Sequence, residues 1–172
     1  MRLTVQLTAA QDVYFNYRQL LSTGYRHDNC QFYMPGFWYR RNLRSPKKAP
    51  SFHTSDSWLV REDRLSAPLT GIFSEKEKRF MTVNRLDDFS MDALATHKEG
   101  EIILSGKTSL GFTGFENQQG IAMLSFGFPY REAPKSYIRK LTLAPEVEAF
   151  QLMKKGESVL LTWEIMESGA DD

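Results

Sequence analysis

Cysteine is nearly missing from this chain: one residue, Cys30, in 172. A single thiol excludes an internal disulfide framework and a cysteine-rich zinc site. Histidine is almost as scarce, with three in the chain. His27, His53 and His97 lie far apart, and none stands in an H-x-H or H-x-x-H spacing, so no metal centre is expected. Neither sign of charge dominates. The 22 Lys and Arg residues against 21 Asp and Glu leave a net charge of +1, which argues against a nucleic-acid partner. No apolar run approaches the ~20 residues that cross a bilayer as a helix, so no membrane partner is expected either. A P-loop, a G-x-S-x-G elbow and a dinucleotide-binding glycine pattern are all absent, and no cofactor is expected. The N-terminus, Met1-Arg2-Leu3-Thr4-Val5-Gln6-Leu7, lacks the apolar core and small-residue cleavage site of a signal peptide. Two settings stay open. The protein is cytoplasmic, or the chain is cut from a larger protein and is periplasmic or extracellular if a signal peptide was removed.

What is present describes an ordinary globule: 41% hydrophobic, 13% aromatic and 25% charged residues. The length suits one domain over residues 1–172, which would bury about 70% of its open-chain surface. The tail MESGADD reads as the run-out of a domain before a linker, so a fragment of a multidomain protein is expected.

Residues 2–8 alternate, with Leu3, Val5 and Leu7 on one face, as a half-buried strand does. Val13, Tyr17, Leu20 and Leu21 fall at helical spacing. Thr8 or Asp12 could cap that stretch and Gly24 could end it, so one helix is expected over residues 9–22. From residue 31 onward glycine and proline recur too often for long helices. Between them lie short β-rich runs, read as strands near 31–34, 56–61, 67–74, 79–86, 101–106, 109–113, 120–127, 136–144, 147–153 and 157–166. GFTGFENQQG (111–120) reads as a hairpin turn, and residues 87–99 have room for one helical turn. The fold class expected is mostly β: an antiparallel two-sheet sandwich with one N-terminal helix. Phe112, Phe115, Phe126, Phe128 and Tyr130 are assigned to its core, and Cys30 to a buried or half-buried structural role.

Two constellations carry candidate chemistry. In Pro35-Gly36-Phe37-Trp38-Tyr39-Arg40-Arg41-Asn42, three consecutive aromatics cannot all point into one core, because neighbours on a strand alternate faces. Exposed Trp38 and Tyr39 beside Arg40 and Asn42 suit a sugar, with rings on its C–H face and polar groups on its hydroxyls; the same set suits single-stranded nucleic acid. The competing reading puts Phe37 and Tyr39 in the core with Trp38 as a lid. The basic segment that follows, with Arg40, Arg41, Arg44, Lys47 and Lys48, suits phosphate, an acidic sugar, an acidic partner domain or simple solvation. The second constellation is Arg61-Glu62-Asp63-Arg64. On a strand, Arg61/Asp63 and Glu62/Arg64 would project to opposite faces, each a possible ion pair. These four residues either face a ligand or form a salt-bridged corner. Adjacent carboxylates are not a glycosidase pair, which needs two carboxyls about 5–10 Å apart across a substrate. No catalytic residue is assigned.

The run FYMPGFWYRRNLRSPKKAP, followed by WLVREDRLSAPLTGIF, resembles the N-terminal β-sandwich of bacterial multidomain glycoside hydrolase-like proteins. That sandwich is of the supersandwich, galactose mutarotase-like type and precedes a helical (α/α) toroid. The matching elements are F-Y-x-P-G-x-x-Y-x-x-N over Phe32–Asn42 and R-E-D-R-L over Arg61–Leu65, with Pro68 three residues on. GESVLLTWEI is similar to the last sandwich strand before the linker. The resemblance implies a domain without catalytic carboxylates of its own, which packs on the toroid of the same polypeptide and lends loops to the rim of its site. Carbohydrate is then the implied ligand, and Trp38, Tyr39, Arg40, Asn42, Arg61, Glu62, Asp63 and Arg64 are its candidate contacts. A free-standing carbohydrate-binding module and a protein–protein interaction domain are the alternatives.

Overall fold

The computed structural model describes residues 1–36, 52, 55–88, 99–134, 136–138, 141–142 and 146–169. The chain is mostly β. In order, its strands are β1 (Arg2–Thr8), β2 (Val13–Phe15), β3 (Tyr17–Arg26), β4 (Cys30–Tyr33) and β5 (Ser57–Arg61). There follow β6 (Leu69–Ser74), β7 (Arg79–Arg85), β8 (Gly100–Ile103), β9 (Phe112–Gln118) and β10 (Ile121–Phe128). The last are β11 (Arg131–Glu132), β12 (Ser136–Ile138), β13 (Leu141–Thr142), β14 (Val147–Met153) and β15 (Ser158–Gly169). Single 3₁₀ turns at His27–Asn29 and Glu62–Arg64 are the helical elements among the described residues.

Two antiparallel sheets face each other, ordered β1-β15-β7-β6-β4 and β3-β10-β9-β5. Their inner faces follow the alternation of the sequence. Leu161, Trp163 and Ile165 of β15 point in and are nearly sealed from solvent, as are Phe115 of β9 and Leu124 and Phe126 of β10. Rings interlock across the gap: Phe126 lies 5.1 Å from Trp163 and Phe32 lies 4.9 Å from Phe115. One polar bridge crosses the same core, where the hydroxyls of Thr70 and Thr113 meet at 2.6 Å. All five aromatics assigned to the core from the sequence are buried, each no more than 2% exposed; Phe115, Phe126 and Phe128 lie between the two large sheets.

A third sheet, β11-β14-β2, carries β8 as a parallel partner of β14. It joins the second large sheet through reciprocal backbone bonds between Leu59 and Ala133, 2.7 and 3.0 Å long. Leu104, Leu110, Tyr130, Val147 and Ala149 form a separate small core beneath it.

Three expectations need correction. No helix covers residues 9–22. Val13–Phe15 and Tyr17–Arg26 are strands instead. Tyr17, Leu21, Thr23 and Tyr25 also fit a period of two, and β-branched and aromatic side chains favour that choice. Gly24 does not end a helix; it holds φ +73° inside β3 where the pairing with β10 slips between Ile121 and Met123. GFTGFENQQG is not a turn over its length: Phe112–Gln118 is a central strand and only Gln119-Gly120 turn. The single strand expected over 136–144 is two short paired ones, β12 and β13. The helical turn expected within 87–99 falls mostly on residues outside those described.

The close contact of β5 and β9 explains a glycine in a central strand. A Cβ on Gly114 would collide with the Trp58 carbonyl and with Leu59 Cα, both backbone. A Cβ on Gly24 meets nothing within 4 Å. Gly114→Ala is expected to destabilise by about 3 kcal/mol, at the upper end of overpacking costs. Gly24→Ala is expected to cost about 1–2 kcal/mol, the penalty for a left-handed backbone alone. Urea unfolding of the two variants beside the parent measures the difference, and equal midpoints would contradict the packing argument.

Candidate functional site

The candidate corner forms where β5 ends. Its last residue, Arg61, is extended, and the chain then closes a single 3₁₀ turn in which the Leu65 N–H donates to Glu62 O at 3.1 Å. This turn, rather than a continuing strand, decides how the four charges sort. Arg61 Nε donates to Asp63 Oδ1 at 2.5 Å, the pair read from the sequence, with side chains 12% and 5% exposed. Glu62 and Arg64 do not pair with each other. Arg64 Nε reaches Glu132 Oε1 at 2.5 Å, and the Arg61 backbone N–H donates to the same oxygen at 3.4 Å.

Glu62 turns inward and is sealed from solvent. Its Oε2 accepts from an Arg85 Nη1 N–H at 2.6 Å and from the Gly111 N–H at 2.7 Å. The Glu62 N–H returns a bond to Gly111 O at 3.2 Å. Arg85 donates further, to Ser109 O at 3.0 Å and to Asp87 Oδ2 at 3.3 Å, and that Asp87 oxygen also takes the Thr162 N–H. Both guanidinium groups lie against rings, Arg61 5.5 Å from the Tyr130 centroid and Arg85 5.5 Å from that of Phe128. The corner therefore locks β5, β7, β11, β15 and the lead-in to β9 together through charge-assisted hydrogen bonds.

Burial pushes the Glu62 carboxyl above its ordinary value, and the Arg85 charge and Gly111 N–H only partly offset that. Glu132 is pushed up for the same reason, against Arg64 and Arg61. Glu62 Oε1 is buried with no hydrogen-bond partner, so the carboxylate is only half satisfied. Arg64, 29% exposed in its side chain, is the member most open to solvent. Only its Nε is engaged among the described residues, which leaves guanidinium N–H groups for an outside acceptor.

Trp38, Tyr39, Arg40 and Asn42 lie outside the described residues. The root of their segment does not. The Ser66 N–H donates to Pro35 O at 3.0 Å, and Gly36 packs so closely on Ser66 that a Cβ there would meet its hydroxyl. The chain thus enters the aromatic and basic run two residues from the end of the charged turn. His53 and His97 also lie outside the described residues. His27 stands beside Asp28 and edge-on to Phe52. No metal-holding group of His, Cys, Asp or Glu occurs among the described residues. Cys30 is half-buried, donates to Arg26 O at 3.2 Å, and burial pushes its thiol up to about 12.

Sequence reasoning missed Arg85, Glu132 and Asp87. A signal for Arg85 existed: with Met81 and Val83 on the core face of β7, strict alternation puts Arg85 on that face as well.

Removing one partner of the buried pair leaves the other charge stranded, so Arg85→Ala is expected to cost about 3–5 kcal/mol. Asp63→Ala leaves Arg61 with some solvent access and the Glu132 charge nearby, and is expected to cost about 1–3 kcal/mol. Chemical unfolding of both checks the order, and reversal would place the main anchor at the Arg61–Asp63 pair. A raised carboxyl contributes stability that is whole below its unfolded value of 4.5 and is lost as pH climbs through the folded value. Glu62→Gln lacks that loss. Its stability relative to the parent is expected to improve as pH rises above 4.5, read from paired melts across a pH series; a flat difference would contradict the assignment.

Compared with family models, with curated proteins and with solved structures, the chain matches none.

Proposed function

We propose that this chain is a non-catalytic β-sandwich domain of a carbohydrate-active, glycoside hydrolase-like protein. In this reading it packs on a catalytic helical domain and lends loops to the rim of that domain's site. The supporting observation is the bond from the Ser66 N–H to Pro35 O. It ties the root of the segment holding Trp38, Tyr39, Arg40 and Asn42 to the turn that holds Arg61, Glu62, Asp63 and Arg64. Recognition loops work best when a rigid scaffold fixes their ends, and the buried ion pairs supply that rigidity. Glu62 and Asp63 are each held by a neighbouring arginine, which suits a positioning role better than acid–base chemistry. Within the turn, Arg64 is the group best exposed to reach a sugar hydroxyl or an acidic sugar.

The reading is tested by the coding sequence downstream of Asp172 together with a tryptophan-fluorescence titration of the chain with cello-, xylo- and malto-oligosaccharides. A long helical region downstream and no saturable shift for the chain alone are expected. A stop codon with a saturable shift would transfer the function to a free-standing carbohydrate-binding module. A stop codon without any shift, or release of reducing sugar by the chain alone, would overturn the proposal.

A further inference from the structure

The outer face of the small third sheet is apolar in the middle and oppositely charged at its ends. Along β14 the outward positions read Glu148, Phe150, Leu152 and then Lys154 just past the strand, while Val147, Ala149, Gln151 and Met153 are buried beneath. Register extends the apolar band sideways. Ile103 of β8 lies opposite Phe150 and is 62% exposed; Tyr14 of β2 lies opposite Leu152 and is 51% exposed. At one end Glu101 stands opposite Glu148, with exposed Glu146 just before the strand. At the other end Lys154 and Lys155 are exposed. Each end holds one counter-charge, Arg131 beside Glu148 and Asp12 beside Lys154, while Glu101 and Glu146 at one end and Lys155 at the other carry the net sign. Glu148 accepts from Asn16 at 2.8 Å and has Arg131 at 3.8 Å; Lys154 donates to Asp12 at 2.9 Å; all of these groups keep access to water.

We infer that this face is the interface of a two-fold homodimer. An apolar band needs a cover, and the charges choose which one. A face acidic at one end and basic at the other repels itself in parallel and complements itself when one copy is turned end for end. A two-fold axis lying in the interface and crossing β14 at Gln151 does that. It sets Phe150 of each copy over Leu152 of the other, and Glu148 of each over Lys154 of the other, since 148 and 154 are equidistant from 151. Each contact then occurs twice, as an isologous interface requires, with an apolar centre and a charged rim. This inference stands on its own observations; it does not depend on the sugar-related reading above.

The test is sedimentation velocity on the full chain from low-micromolar to sub-millimolar concentration. A reversible dimer is expected. Glu148→Lys alone, or Lys154→Glu alone, sets like charges against each other twice and is expected to weaken the dimer about tenfold. The double exchange, Glu148→Lys with Lys154→Glu, restores the pairing and is expected to recover dimerisation. Ile103→Lys is expected to weaken it as well. Far-ultraviolet circular dichroism and urea midpoints verify that each variant is folded. A monomer throughout the range would overturn the inference. A dimer that ignores the single exchanges, or that the double exchange fails to rescue, would overturn it equally.

Discussion

The contact between Arg85 and Glu62 is the constraint on which the rest of the corner depends. Arg85 belongs to one large sheet and Glu62 follows the edge strand of the other, so one charge-assisted bond fixes the spacing of two layers where hydrophobic packing runs out. Burying both charges costs several kcal/mol each and returns that only with good geometry. The geometry is good on one side: Oε2 takes two donors, and Arg85 also satisfies the Ser109 carbonyl and Asp87. It is incomplete on the other, at Oε1. A buried pair of this kind adds little net stability of its own, but losing either partner strands the other charge.

From that pair outward the charges grade from sealed to wet. Glu62, Arg85, Asp63 and Glu132 are enclosed; Arg61 sits at the boundary; Arg64 reaches inward from the surface to Glu132. The inner pair holds the turn, the turn holds Ser66, and Ser66 holds the carbonyl where the aromatic and basic segment departs. The surface properties of the rim are in this way subordinate to a decision taken in the core.

Much of the fold was legible in residue order because alternation is a strong signal when one face is dry. β1, β14 and β15 read clearly for that reason, and so did the Arg61–Asp63 pair. Residues 13–26 did not, because Val13, Tyr17 and Leu21 satisfy a helical period and a strand period at once, and only the partner strands β10 and β14 decide between them. The 62–64 turn was illegible for a related reason. Two-residue alternation pairs Glu62 with Arg64, whereas one 3₁₀ turn sends Glu62 to a residue 23 positions away. Glu132 could not be found at all from sequence, since its role exists only once the backbone bridge of Leu59 and Ala133 brings β11 beside β5.

The pairing of β1 with β15 joins residues 2–8 to residues 158–164, and β2 likewise waits for β14. A chain leaving the ribosome therefore holds its first strand without a partner until almost the whole domain has been made. Closure over such separations is entropically slow, in the millisecond-to-second range typical of β topologies rich in distant contacts. During that wait Leu3, Val5 and Leu7 form an open apolar edge, and protection of nascent chains from premature association would matter most there.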